Sequence, residues 1–387
     1  MMRTAALTLC ACLAAAAAQA QTNAPAPATS APPPQSAPAA GAPAAGAPAP
    51  AAPSAAPAAS SAAPPPSSAP PASEPAAPAA SSPTQTEPDY AFAAFQRGYF
   101  VTALREAERR LDDNPKDAAA MTLIGEIYHD GAAVNQNEEE ASRWYRLASR
   151  LGDPQAAFQY GLELLRGAPG VVADQAAAKG QFELAAAKGH AGALYNLGVL
   201  ALKGADGHSP DFAAAADFFR RSAEAGDDDA AYSYGVMLRE GRGVAPDIAE
   251  AARFLKRAAD GGVIAGEVEY GIMLFNGVGA PKDEAGAAKL LIRAAGRRNP
   301  IAQNRLAHLY VAGRGAPRDL AKAAVWHHFA KMAGVDDLDL DGATADLSDD
   351  EKKRAAEFAR KISVFWFPVG SRQTPAEFRL SSSTGSQ

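Results

Sequence analysis

Few side chains in this sequence are placed where they could do chemistry, and the clearest group is a short acidic run. Residues 337–342 read Asp-Leu-Asp-Leu-Asp-Gly, which is how a calcium-binding loop begins. Such a loop needs a bidentate glutamate at its twelfth position, where this chain has Ser348. The sequence favours an acidic connector here, and calcium binding remains the alternative.

The histidines and cysteines give no pattern that predicts a metal site. His327 and His328 are adjacent, so on a helix their rings point to different sides and cannot share one ion. The other histidines are scattered, and the two cysteines, Cys10 and Cys12, lie close to the N-terminus. We expect no metal ion and no cofactor.

Two glycine-rich segments resemble phosphate-binding loops only superficially. Gly241-Arg-Gly243 and Gly313-Arg-Gly315 recur at the same place in a repeated pattern, which indicates turns that end helices. The sequence has no credible strands, and no nucleophile elbow, Walker loop or dinucleotide fingerprint in a strand–turn–helix setting. We therefore predict that the chain is not an enzyme.

The elements that would have to position any site are set by a repeat of 36 or 37 residues that starts at Asp117. A small residue recurs inside an apolar helix at Gly125, Gly161, Gly198, Gly235, Gly271 and Ala307. A glycine follows some six residues later at Gly131, Gly167, Gly204, Gly241, Gly277 and Gly313. A polar residue then opens a second helix at Asn137, Asp174, Asp211, Asp247, Asp283 and Asp319.

Each marker has a physical reason. The small residue makes room for the second helix that crosses the first, and the following glycine adopts a left-handed conformation that ends the first helix. The polar residue caps the unpaired amides of the second helix. One such pair cannot bury its apolar face alone, so the period predicts a stack of pairs.

The repeat resembles a known family. Ala193-Leu-Tyr-Asn-Leu-Gly198 and Asp319–Trp326 are similar to Sel-1-like repeats, and residues 117–334 hold six copies. Residues 89–116 resemble one tetratricopeptide unit, in which Arg97-Gly98-Tyr99 forms the turn. The resemblance implies an all-α fold, a right-handed α-solenoid of stacked antiparallel helix pairs.

The pattern stops after Gly334, and residues 335–370 are predicted to form a connector and a capping helix. Ser348 and Glu351 form a capping box that opens this helix. The apolar segment Phe365–Pro368 is expected to pack on the last repeat, with a partner-docking peptide as the alternative. Residues 371–387 are predicted to be a disordered tail.

The N-terminal quarter predicts export. Residues 1–20 have the charged start, apolar run and small-x-small end of a signal peptide, and a lipoprotein form attached through Cys12 is the alternative. Residues 21–88 are almost only Ala, Pro and Ser, which predicts a disordered tether. The expected location is the periplasm, with no transmembrane segment in the mature chain. A net charge of −6 argues against nucleic acid as a partner.

A surface for holding another protein is then the expected site. In tetratricopeptide solenoids the first helix of each pair lines the concave face, and that register predicts two adjacent rows of contacts. The first row contains Phe158, Tyr195, Tyr232 and Asn304, and the second contains Arg166, Lys203, Glu240 and Asn276.

The resemblance implies a non-catalytic periplasmic scaffold that binds an envelope protein or peptide, in envelope assembly or signalling. Contact with cell-wall peptidoglycan is the alternative, and a hydrolase is the least favoured reading. For each aromatic ring of the first row, packing between repeats remains an alternative to binding.

Overall fold

The computed structural model describes residues 89–204 and 209–366, and these form helices joined by short loops. The helices are α1 (Tyr90–Gln96), α2 (Phe100–Asp113), α3 (Ala118–Asp130), α4 (Glu138–Arg150), α5 (Pro154–Arg166), α6 (Gln175–Ala187), α7 (Ala191–Lys203), α8 (Phe212–Glu224), α9 (Asp228–Glu240), α10 (Ile248–Asp260), α11 (Ile264–Asn276), α12 (Glu284–Gly296), α13 (Pro300–Ala312), α14 (Leu320–Met332), α15 (Leu338–Ala343) and α16 (Asp349–Trp366). The predicted signal peptide, tether and tail, and the side chains of Phe365–Pro368, lie outside the described residues.

Helices α1 to α14 stack as seven consecutive pairs. The two helices of a pair pack on each other, and the second helix of each pair packs on the first helix of the next. In the described part of the chain no strand forms, apart from a single bridge between Ala168 and Val171. The predicted all-α solenoid is confirmed.

The predicted caps open all six second helices of the repeat. In each case the side-chain oxygen of the cap accepts a hydrogen bond from the backbone amide three residues on, at 2.8–3.2 Å. The structure adds caps that the sequence pattern did not single out, at the starts of the first helices. These are Asp117, Asp153, His190, Asp227 and Asn299, whereas α11 follows Val263 without a side-chain cap.

The small residue inside each first helix faces one side chain of the second helix. A Cβ atom built on Gly125, Gly161 or Gly198 would lie 2.7–2.8 Å from a ring carbon of Tyr145, Phe182 or Phe219, respectively. Normal carbon–carbon contacts are about 3.5–4.0 Å, so only glycine fits beside these rings. The predicted role of the small residue is confirmed at these three positions.

The glycine that ends each first helix follows the prediction in four of six cases. Gly131, Gly241, Gly277 and Gly313 are left-handed. Gly167 and Gly204 also have positive φ, but their ψ angles are 148° and 121°, so the prediction was wrong for these two. For Gly167 the reason is loop length, because residues 167–174 form a loop one residue longer than residues 131–137.

The Gly-Arg-Gly segments are turns that end first helices, as predicted, and they also contact the preceding pair. A Cβ on Gly243 would lie 2.0 Å from the carbonyl oxygen of Phe212, the first residue of the preceding second helix. The guanidinium of Arg242 lies 4.7 Å from the centre of the Phe212 ring. The close backbone approach explains the glycine, and the cation–π contact explains the arginine.

The C-terminal helix closes the stack. The Ser348 amide donates to Glu351 Oε2 at 2.9 Å, and the Glu351 amide donates to Ser348 Oγ at 3.3 Å, so the predicted capping box forms. The apolar stripe of α16 packs on α14, and the ring of Phe358 meets Trp326 edge-on at 5.9 Å. Charged residues lie on the outer side of α16.

The acidic run lies in a short helix, and two of its three carboxylates, those of Asp337 and Asp341, have partners. Asp337 caps α15 and accepts from Asn304 Nδ2 at 2.9 Å and His308 Nε2 at 2.8 Å. Asp341 accepts from Lys331 Nζ at 2.8 Å and from His327 Nε2 at 2.8 Å. This geometry is that of a connector, the reading that the sequence favoured over a calcium loop.

Candidate protein-binding surface

The candidate surface is formed by the exposed sides of the first helices from α5 to α13, and we name it the first-helix surface. It contains both rows predicted from the sequence, and the structure places the two rows in different environments. The first row is half-buried or buried, whereas all four members of the second row are exposed.

The rings of the first row lie at joints between helices. Phe158 stacks on His190 of the next pair, with ring centres 4.5 Å apart, and its ring also lies 6.1 Å from that of Phe182. The Tyr195 ring lies 5.5 Å from that of Phe219, and Tyr232 packs against the cluster around Leu255. Their edges reach solvent, so these rings join the helices and border the surface at the same time.

Asn304 differs from the rest of its row. Its side chain is 8% exposed, and its amide nitrogen donates to Asp337 at the start of α15. Because α15 packs on α13 at this point, the C-terminal connector covers the end of the row. A partner would reach Asn304 only by displacing α15.

The second row consists of the last residues of four successive first helices. Arg166 donates from Nε to the Leu162 carbonyl at 3.3 Å. Glu240 pairs with Arg239 at 3.4 Å and with Arg242 at 3.6 Å. The exposed row therefore presents cations at Arg166 and Lys203, a carboxylate paired with two arginines at Glu240, and an amide at Asn276.

A hydrogen-bonded chain that the sequence pattern did not predict crosses the same side of three pairs. Gln155 Nε2 donates to Glu126 Oε1 at 3.1 Å, and His190 Nε2 donates to Gln155 Oε1 at 3.0 Å. His190 Nδ1 accepts from the Ala193 amide at 3.2 Å, so the ring is neutral in this arrangement. Burial lowers the pKa of His190, which favours the same neutral form. The signal in the sequence was the position of His190, where four of the other five repeats carry Asp or Asn.

Two carboxylates are buried beneath this side of the stack. Glu267 is 1% exposed and pairs with two arginines. Arg293, at 2.5 Å, lies on α12, and Arg297 is the residue that follows α12. Glu163 is 5% exposed, and neither of its carboxylate oxygens has a hydrogen-bond partner among the described residues. Burial raises the pKa of Glu163 to about 7.

The N-terminal end of the stack carries a second exposed feature. A shallow groove between α1 and α2 is lined by Tyr90, Arg97, Tyr99 and Glu106, among others. Both tyrosines are 64% exposed. The sequence assigned Tyr99 only to a turn.

Two other kinds of site are missing from the part of the chain that the structure describes. No three His, Cys, Asp or Glu side chains lie together there in a way that could hold a metal ion. Nor is any of the described helices both long enough and apolar enough to span a bilayer.

The repeat matches a known family six times. The matches to the Sel1 repeat cover residues 118–153, 154–190, 191–227, 228–263, 264–297 and 300–335. These confirm the six copies that the sequence predicted. A comparison with curated proteins found none that matches this chain.

Two solved structures have the same fold. One is a protective antigen present in uropathogenic Escherichia coli strains and displaying an SLR fold, 22% identical with a TM-score of 0.60, and the match covers 77% of this chain and 66% of that one. This chain thus spans just under two thirds of that protein. The other is a Sel1 repeat protein from Oxalobacter formigenes, 26% identical with a TM-score of 0.52, and the match covers 64% of this chain and 97% of that one.

Proposed function

We propose that this chain, which belongs to the Sel1 repeat family, is a non-catalytic scaffold that holds an envelope protein or peptide along its first-helix surface. Sel1 repeat proteins generally mediate contacts between proteins, and the solenoid is typical of interaction scaffolds. The observation that carries the proposal is the exposed second row, in which the last residue of each of four successive first helices is exposed. An extended partner can contact such a row at regular intervals.

The composition of the surface supports a protein partner. Half-buried rings at Phe158, Tyr195 and Tyr232 border exposed charges and an amide at the ends of the same helices. Aromatic and arginine side chains contribute a large share of the energy of protein interfaces. The periplasm and a role in envelope assembly or signalling are part of the proposal, and they rest on the N-terminal sequence.

The test is site-specific photocrosslinking in cells. A photoreactive residue replaces Arg166, Lys203 or Asn276 in one set of variants. The matched set replaces residues that are also exposed but lie on second helices: Arg143, Lys179 and Arg253. We expect the first set to yield one defined protein and the second set to yield none.

The other outcomes are informative in their own way. Equal crosslinking from both sets, or crosslinking from second helices alone, would refute the assignment of the surface. Purified peptidoglycan that retains the chain, and loses it on replacement of Arg166 and Lys203, would favour the glycan alternative. Cell fractionation that finds the chain outside the periplasm would remove the envelope role without removing the binding surface.

A further inference from the structure

One core position of the repeat is charged in a single copy and apolar in the other five. The position lies two residues after the small residue of each first helix, and its side chain packs against the core. Five of the six repeats have a buried aliphatic residue there: Ile127, Leu200, Met237, Met273 and Leu309. The sixth, in α5, is Glu163.

The surroundings of Glu163 do not compensate for its charge. Both oxygens lack a hydrogen-bond partner among the described residues, as do two buried groups of α4, Tyr145 Oη and Trp144 Nε1. The hydroxyl of Ser142 lies near enough to lower the pKa of Glu163, but it donates to the carbonyl of Glu138 at 2.8 Å. A buried carboxylate without a partner is costly, and the cost falls when the group takes up a proton.

The charged groups around Glu163 come from three helices. The carboxylate of Glu138 on α4 raises the pKa of Glu163 further, whereas His129 on α3 and Arg166 on α5 itself lower it. His129 Nδ1 and Glu138 Oε2 are paired at 2.9 Å and lie partly exposed. Glu163 thus lies beneath an exposed pair, at the place where α5 packs on α4.

We propose that the contact between α4 and α5 is a proton-sensitive joint of the solenoid, closed when Glu163 is protonated and loosened when it is ionised. Each described pair packs mainly on its immediate neighbours, so a change at one joint alters the spacing of the pairs on either side without unfolding the others. This regulatory device is independent of what the first-helix surface binds.

Thermodynamic linkage gives the direction in which pH changes the stability of the joint. The pKa of Glu163 is raised from 4.5 to about 7 in the folded state, so its contribution to stability is fully present below pH 4.5 and is lost as the pH rises through about 7. For a shift of that size the equilibrium constant for opening the joint increases about ten-fold between pH 6 and pH 8.

Hydrogen exchange of the full chain tests the proposal. Amide protection is measured by mass spectrometry at pH 6 and pH 8 and corrected for intrinsic exchange. We expect peptides from α4 and α5 to open about ten-fold more at pH 8. Peptides from α8 and α9, where the same position is Met237, should show no such increase.

Two variants keep the test decisive. Glu163→Gln removes the titration and retains the shape, and Glu163→Leu restores the residue type of the other repeats. Either folded variant should lose the ten-fold pH effect at α4 and α5. The proposal is overturned if the wild-type chain shows no pH effect confined to this joint, or if the variants retain it.

Discussion

Glycine to alanine at equivalent helix positions should have opposite effects on stability in two repeats. In Gly198→Ala the new Cβ would lie 2.8 Å from Phe219 Cε1 and 2.9 Å from Cδ1. Phe219 is 1% exposed, so its ring has no free space into which to move. In Gly271→Ala the nearest atoms, on Leu290 and Leu291, are 3.5 Å away, an ordinary contact.

The magnitudes follow from two opposing effects. Overpacking a core costs about 1–3 kcal/mol. Alanine in place of glycine inside a helix gains about 1 kcal/mol. Gly198→Ala should therefore lower the free energy of unfolding by up to about 2 kcal/mol, and Gly271→Ala should raise it by up to about 1 kcal/mol.

Urea unfolding followed by circular dichroism at 222 nm measures both variants under the same conditions. A third variant, Gly198→Ala with Phe219→Leu, places alanine beside leucine, as Gly271→Ala does beside Leu291, and tests whether the ring is the cause. The double variant should show a coupling energy that recovers part of the loss. If Gly198→Ala is as stable as Gly271→Ala, the assigned crossing of first and second helices is wrong.

Three other predictions concern caps and buried charges. Asp247→Ala should cost about 1 kcal/mol in urea unfolding, because the Glu250 amide loses its acceptor at 2.9 Å. Burial lowers the pKa of His190, so the stability that the neutral ring contributes is present above pH 6.5 and is lost as the pH falls. The His190→Asn variant keeps a cap acceptor but does not titrate, so its thermal unfolding temperature should depend less on acid pH than that of the wild type. Glu267→Gln should lower the free energy of unfolding by about 1–3 kcal/mol, because Arg293 and Arg297 lose a charged partner that is 1% exposed. Glu284→Gln breaks an exposed pair with Arg314, and it should lower the urea midpoint less than Glu267→Gln does.

The sequence predicted the helices well because each marker acts locally. A cap such as Asp247 or a glycine such as Gly241 needs only its own turn of backbone, so its role follows from its position in the repeat. The capping box at Ser348 is equally local, and α16 begins one residue later. Gly167 departed from the expected left-handed conformation because the loop after it has one more residue, which changes the direction in which the backbone leaves α5.

The environment of the predicted contact residues depends on the neighbouring pairs, which the repeat register does not describe. Phe158 was assigned to a row of partner contacts, but the residue that covers it, His190, belongs to the next pair. Asn304 is covered by α15, which lies outside the repeat altogether. Whether these residues contact a partner stays a prediction. Glu163 could have been found by aligning the six repeats at every core position as well as at the markers.

The position of the proton-sensitive joint relative to the proposed contacts separates two kinds of partner. All members of the exposed row, from Arg166 to Asn276, lie on α5 or beyond, on one side of the α4–α5 contact. Arg166 interacts electrostatically with Glu163, but the other members of the row do not. A partner held only by Lys203, Glu240 and Asn276 does not cross the joint, so its affinity should be insensitive to the ionisation of Glu163. A partner that also reaches the tyrosine groove between α1 and α2 must span the joint, and its binding free energy is then coupled to the protonation of Glu163 by linkage. Affinity that changes with pH in the wild type and stays constant in Glu163→Gln would therefore mark a ligand that uses both ends of the stack.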